Sequence, residues 1–420
     1  MKFKLLLSFL LPITLVAQIP SKKIRVLFVG NSYTYVNNLP LLISNLGLAT
    51  GDSMYYDSSA PGGYTFFNHT TDVNTLAKIS VGNWDYVVLQ AQSQEPSFSP
   101  TQVSSQTLPF AVKLDTLIKH YNPCATTVFY ETWGRKNGDV SNCQFYPPVC
   151  TYLGMQNRLK ASYKLFADSC RALMAPAGEA FRLSIATQPT LNLYQADDSH
   201  PSLEGSFLTA AVFYEMLFKK SVLSNTYNPG VAVGSHSFLL QTAHSTVHDS
   251  LLVWNMGKFN PVSSFSLTQQ VNVCQFQSQQ PHYSHKWYFG DGNTSTLANP
   301  SHSYAASGNY TISHVVSYRC KKDSSTSMVT ISTPVISYIN SFENVEKLNL
   351  FPNPCSNELN LSFSEPDKKQ VYLKAFNVMG ETFSLKVSNN KINVAHLNSG
   401  VYFLEITRGN KKSVLRFVKE

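Results

Sequence analysis

From Ile24 to about Lys220, short apolar runs alternate with longer amphipathic stretches, and this alternation limits the fold more than any other feature. Ile24–Val29 is apolar apart from Arg25 and ends at Gly30; Trp84–Gln90, Thr126–Thr132 and Leu173–Ala177 are further short runs. Runs without polar alternation suit strands covered on both faces. Gln102–Tyr121 and Gln156–Leu173 read as helices, with Phe110, Leu114, Leu117 and Ile118 at helical spacing. Further helices are expected at Leu203–Phe218 and near Ser237–Asn255. Strands alternating with helices predict a parallel sheet between two helical layers, an α/β domain over residues 22–258.

The chain has 420 residues, too many for one ordinary core. Near Pro261 the composition shifts to Ser, Thr, Tyr and Val with turn residues at short intervals, as in a β-sandwich. Ser332–Pro334 and Asn340–Asn344 read as a linker, and short alternating strands resume at Leu348–Phe351, Glu358–Phe363, Val371–Asn377, Gly400–Thr407 and Ser413–Val418. The expected organisation is therefore an α/β domain followed by two small all-β domains, at 261–333 and 342–420.

Residues 1–18 have the form of a signal peptide: Lys2 and Lys4, a short apolar run from Leu5 to Val16, and a cleavage point at Ala17–Gln18. The run is shorter than the ~20 residues that span a bilayer, so the mature chain is expected to be exported without a transmembrane segment. The net charge of +8 lies largely in lysines near the two ends, with no arginine-rich helix or basic–aromatic groove, so nucleic acid is not an expected partner. Export permits disulfides. With seven cysteines at least one is unpaired, and no paired spacing typical of a zinc site occurs.

Two short motifs carry the chemistry. Gly30-Asn31-Ser32 follows the first buried strand, which places Ser32 at the carboxyl edge of the sheet, where open α/β sheets bind ligands. Asp197, His200 and Pro201 precede the Leu203 helix. A serine hydroxyl needs a neutral imidazole to take its proton and a carboxylate to fix the imidazole tautomer. A tight turn lets one loop deliver both Asp197 and His200, while Asp198 or Ser202 is a candidate cap for the following helix. Tyr33, Trp133 and Arg135 are candidates for lining an acyl or sugar pocket or for a structural role. His244 and His248, four apart on an expected helix, could bind a metal; a solvated helix face is the expectation, and no metal or cofactor is expected.

These motifs resemble those of the SGNH (GDSL-type) hydrolase superfamily over roughly Ile24 to Asn255. The resemblance implies a flavodoxin-like three-layer α/β/α fold, with Ser32 as nucleophile, His200 as base and Asp197 as its carboxylate partner. It also implies an oxyanion hole. Gly63, in the segment Ala60–Phe66, is the expected backbone donor. The family's asparagine-bearing block is replaced here by Gln90, Ala91, Gln92 and Ser93; Gln90 is the expected side-chain donor and Gln92 the alternative.

Trp287–Gly292, Asn299–Tyr304 and Gly308–Ile312 resemble a PKD domain, an immunoglobulin-like sandwich, in which Cys274 and Cys320 could face each other and pair. Such a domain is expected to act as a spacer, with glycan binding as the alternative. Leu350–Cys355, Asn377–Glu381 and Leu397–Phe403 resemble the type A C-terminal sorting domain of the type IX secretion system, which implies that machinery as a partner and passage through the periplasm to the cell surface or medium. The expected activity is removal of acyl groups, acetyl above all, from carbohydrate or other small esters. The competing reading is a non-catalytic surface glycan-binding protein that keeps the hydrolase fold.

Overall fold

The structure, a computed structural model, describes residues 21–332, 348–362, 371–409 and 411–420. The signal peptide and, after Ser332, the linker lie outside the described residues. The chain divides into two compact units, Met1–Thr333 and Pro334–Glu420.

The first unit opens with the parallel sheet. Its strands are β1 (Lys23–Val29), β2 (Ser53–Ser59), β3 (Tyr86–Leu89), β4 (Thr126–Glu131) and β5 (Leu173–Pro176), in the order β2-β1-β3-β4-β5. This is the flavodoxin-like order, with its switch point between β1 and β3. Val26, Leu27, Phe28, Val87, Val88, Val128 and Phe129 are buried, as strands covered on both faces require. The helices include α1 (Ser32–Tyr35), α2 (Leu39–Leu48), α3 (Leu108–Tyr121), α4 (Tyr152–Ser169), α5 (Ala177–Thr187), α6 (Leu203–Phe218) and α7 (Val233–His248); further short ones lie at Phe66–His69, Val73–Ser80 and Pro100–Gln102. In one group α2 and α7 pack against α6; in the other α3 packs against α4.

Several boundaries differ from the expected ones for local reasons. The segment expected as one helix from Gln102 runs through a π turn at Val103–Thr107 before α3. Pro109, second in α3, has no N–H to give to the turn before it, so the ladder is re-registered there. α4 stops at Ser169, and Arg171 takes a left-handed φ of 48° to turn the chain into β5. α7 ends at His248, short of Asn255.

α6 is buried from Gly205 to Phe218, so it reads as apolar on every side. Ser202 caps it, its Oγ accepting the Gly205 N–H at 3.1 Å. A Cβ on Gly205 would lie 2.4 Å from the Leu193 carbonyl oxygen, so only glycine lets α6 approach the loop that carries Asp197 and His200.

The sandwich at the end of this unit has two antiparallel sheets. One orders Ser301–Ser303, Val273–Ser278 and Phe265–Gln270; the other orders Lys321–Ile331, Gly308–Tyr318, Ser284–Tyr288 and Thr294–Ser295. Trp287, Phe276, Phe289, Tyr304 and Ile312 form its core.

The expected Cys274–Cys320 pair does not form. Cys274 is a free thiol inside that core. Cys320 sits in the turn between the two long strands and is bonded to Cys124, just before β4, with Cα atoms 5.2 Å apart. The bond ties the sandwich to the amino-terminal edge of the parallel sheet, opposite Ser32. Arg171 supports the junction, its guanidinium over the rings of Tyr283 and Tyr318 at 5.8 and 5.3 Å.

Among its described residues, the second unit holds two four-stranded antiparallel sheets around Leu359, Leu361, Ala375, Ile392, Leu404, Ile406 and Phe417. Its described strands include Asn349–Phe351, Glu358–Ser362, Val371–Asn377, Gly400–Arg408 and Lys411–Lys419, close to the expected positions. Among the described residues no helix is long and apolar enough to cross a membrane.

Candidate active site

β1 ends at Val29, and the turn through Gly30 into α1 sets Ser32 as the first helical residue. A Cβ on Gly30 would stand 2.5 Å from Thr34 Oγ1 and 2.6 Å from Gln90 Oε1. Glycine is thus required for the turn to close over the end of β3. Asn31 caps α1 through Oδ1, which accepts the Tyr33 N–H at 3.2 Å. Its Nδ2–H donates to the Tyr64 carbonyl at 3.0 Å, which draws the Pro61–Tyr64 turn beside Ser32.

Asp197 and His200 come from a closed loop. Tyr194 and Pro201 pair as an antiparallel bridge, and the Gln195 N–H donates to the His200 carbonyl at 2.8 Å. Asp198 turns the loop with a left-handed φ of 55°. It does not cap α6. Its carbonyl accepts the Lys136 N–H at 3.0 Å, and its carboxylate accepts from Asn137 Nδ2 at 3.0 Å and pairs with Lys136 at 3.4 Å. The segment after β4 that supplies these contacts is itself closed by a Cys143–Cys150 disulfide.

The structure brings Ser32, His200 and Asp197 into one hydrogen-bonded chain. His200 Nε2 lies 2.8 Å from Ser32 Oγ, and His200 Nδ1 meets Asp197 Oδ2. Asp197 Oδ1 accepts the backbone N–H groups of Ser199 and His200 at 3.1 and 2.9 Å. Burial pushes the Asp197 carboxyl up, but these bonds and the His200 side chain outweigh it and hold the group below the ordinary carboxylate range. An ionised Asp197 accepts Nδ1–H, which leaves the lone pair of Nε2 facing the serine hydroxyl.

Tyr33 and Trp133 do not line an open pocket, because both are buried. Their rings stack at 4.9 Å, and Trp133 stacks on Phe181 at 4.0 Å. From this column Trp133 Nε1–H donates to the Ser199 carbonyl at 3.0 Å, and Tyr33 Oη lies 2.7 Å from Ser199 Oγ. The column therefore fixes the loop between Asp197 and His200. Arg135 lies 3.5 Å from the buried carboxylate of Asp139.

The oxyanion residues divide. Gly63 lies exposed in the turn beside Ser32, with φ of 72°. Gln90 is fully buried, and its Oε1 accepts the Asn31 N–H at 2.8 Å and the Thr34 hydroxyl at 3.0 Å, while its Nε2–H donates to the Ala91 carbonyl. An oxyanion donor must face the space where substrate sits, and Gln90 faces the Gly30–Thr34 turn instead. This corrects the expected donor role to that of positioning Ser32. Gln92 is turned into its own loop, with Oε1 accepting the Gln94 N–H at 2.7 Å. His69, which the motifs did not indicate, holds the same turn from the other side: its Nε2–H donates to the Gly30 carbonyl at 2.8 Å. Burial pushes the His69 pKa down and favours the neutral ring.

Gln90→Ala is expected to leave the buried Asn31 N–H without an acceptor, at a cost of about 1–3 kcal/mol. Thermal stability and kcat should fall together. A fall in kcat of ~10²–10³ with an unchanged melting temperature would restore the donor role.

Glu95, in the loop after β3, is partly buried, and burial alone pushes its carboxyl from 4.5 up to about 7. A raised folded-state value means the fold retains a proton that the unfolded chain releases. The associated stability is full below the unfolded value and is lost as pH rises through about 7. Glu95→Gln is expected to raise the melting temperature above about pH 7 and to leave it unchanged near about pH 4, as thermal scans across this range would read.

The first domain thus sets a serine–histidine–aspartate hydrogen-bonded chain beside the carboxyl edge of a parallel, flavodoxin-like sheet. Residues 259–333 match the PKD domain family, and residues 349–420 match the secretion system C-terminal sorting domain, the tail handled by type IX secretion. No curated protein matches the chain. Similar solved structures include a DUF4886 family protein from Bacteroides uniformis, 17% identical, covering 55% of this chain and 95% of that one with a TM-score of 0.48. A proposed SGNH hydrolase from Slackia heliotrinireducens is 28% identical, covering 46% and 99% with a TM-score of 0.39. An acetylxylan esterase from Geobacillus stearothermophilus is 16% identical, covering 47% and 94% with a TM-score of 0.32.

Proposed function

We propose that this chain is an exported serine esterase that removes small acyl groups, acetyl above all, from carbohydrate or other alcohol esters. The observation that carries the reading is the 2.8 Å approach of His200 Nε2 to Ser32 Oγ, with Asp197 on the other ring nitrogen. His200 takes the serine proton as Oγ attacks the ester carbonyl. Charge then develops on the former carbonyl oxygen beside the backbone N–H groups of Ser32 and Gly63. His200 returns the proton to the departing alcohol, and water repeats the sequence on the acyl-enzyme. The side chains of His200 and Asp197 are 32% and 47% exposed, so the site opens to the surface and admits an alcohol portion as bulky as a polysaccharide. Tyr35, one turn beyond Ser32, is an exposed aromatic ring on which a sugar can stack.

A hydrolysis screen tests this reading. The protein is expected to cleave p-nitrophenyl acetate and acetylated xylan and to lose activity as the acyl chain lengthens. No hydrolysis of any ester, with retained glycan binding, would return the surface-binding reading. The sorting tail implies delivery through the periplasm to the surface or medium. Cells expressing the chain without residues 342–420 should hold the esterase activity in the periplasmic fraction; normal release would overturn that role for the tail.

A further inference from the structure

A second cluster of chemistry-bearing side chains lies on the first unit, well away from Ser32. Glu215 is on α6, 13 residues beyond the Ser202 cap, or about 20 Å along the axis at 1.5 Å per residue. Its side chain is 1% exposed. Oε1 accepts the Val222 N–H at 2.8 Å and faces His244 Nδ1 at 2.8 Å. Oε2 is buried without a hydrogen-bond partner, and His248 Nε2 lies 3.1 Å from it. His244 and His248 are four apart on α7, hence on one face, with ring centroids 4.3 Å apart. The sequence suggested a solvated helix face for this pair; the structure turns it onto a buried carboxylate of the neighbouring helix.

From these contacts we infer that Glu215, His244 and His248 form a binding site for a divalent transition cation of the zinc class. One donor atom from each residue lies within 4.8 Å of the others. Ligands at 2.0–2.1 Å in a tetrahedron stand about 3.3 Å apart, and the 3.1 Å from His248 Nε2 to Glu215 Oε2 is close to that edge, while His244 Nδ1 stands 2.8 Å from the other oxygen of the same carboxylate. Two imidazoles and a carboxylate suit zinc and its neighbours rather than calcium or magnesium, which prefer oxygen. A buried carboxylate needs a compensating charge, and a cation supplies it while engaging the oxygen that lacks a partner. His248 is 46% exposed, which gives an entry path and leaves a fourth position to water. Bridging α6 to α7 at the far end from Ser202, the ion fastens the helix whose cap follows the His200 loop. Its role is structural.

The test uses the full chain without an affinity tag. Equilibrium dialysis against zinc chloride should show one tightly held zinc per chain, and cobalt should give the visible absorption of a four-coordinate ion. His244→Ala and His248→Ala remove the imidazoles and keep Glu215 in place for Val222. Each should weaken zinc binding by at least about tenfold and remove the zinc-dependent rise in melting temperature. Far-UV circular dichroism should confirm that both variants fold. Ester hydrolysis by the wild type should be equal with zinc and after chelation. Absence of stoichiometric zinc in the wild type, or equal affinity in the wild type and both variants, would overturn the site.

Discussion

Ser32→Ala should lower kcat/KM for ester hydrolysis by roughly 10⁴–10⁶ while the melting temperature stays near that of the wild type. The hydroxyl is the only group removed. Its partner in the site is His200 Nε2, an acceptor that can turn to water when the hydroxyl is gone. The turn does not depend on it: Gly30, Asn31 and Thr34 are held by Gln90 and His69 through groups other than the serine side chain. A folded Ser32→Ala protein with activity within a few-fold of wild type would remove Ser32 as nucleophile.

Asp197→Asn should have the next largest effect, and its direction follows from hydrogen-bond bookkeeping alone. The backbone N–H groups of Ser199 and His200 both donate to Oδ1, and neither can accept. An asparagine must therefore keep its carbonyl oxygen toward them and present its NH₂ group to His200 Nδ1. That orientation makes Nδ1 the acceptor and moves the ring proton to Nε2. Nε2–H then donates to Ser32 Oγ instead of accepting from it, and the base is lost. A fall in kcat of about 10²–10⁴ is expected, toward the lower end because Asp197 is half exposed and solvent can restore some of the productive tautomer. KM and the melting temperature should change little. Equal losses in kcat for Asp197→Asn and Asp198→Asn would instead point to loop geometry as the cause, since Asp198 holds the turn through Lys136 and Asn137 without reaching the imidazole.

The parts legible in the sequence are those written in contiguous residues. A buried apolar run ending in Gly30 reports both a strand and the turn after it. The spacing of Asp197, His200 and Pro201 reports a loop before a capped helix. α5 was not expected because Pro176 ends β5 and the helix begins at the next residue, leaving no loop to signal the change. Gln90 was assigned a donor role because its block aligns with the family's oxyanion block. Its actual partners lie on the turn after β1, 56 and 59 residues away, where no local pattern reports them. Trp133 and Tyr33 braced the loop rather than a pocket for the same reason: their stacking depends on how β1 and β4 are ordered in space. Glu215 was invisible as a partner for His244 and His248 because it stands in a helix that otherwise reads as uniformly apolar.

The bond between Cys124 and Cys320 joins residues that an unfolded chain would seldom bring together. Its two cysteines are 196 residues apart, whereas Cys143 and Cys150 are separated by 7. In an unfolded chain, loop-closure entropy favours nearer encounters, which for Cys320 are Cys355 and Cys274 and for Cys124 is Cys143. With Cys170, Cys274 and Cys355 buried, the folded domains leave Cys124 and Cys320 as the pair that meets across their junction.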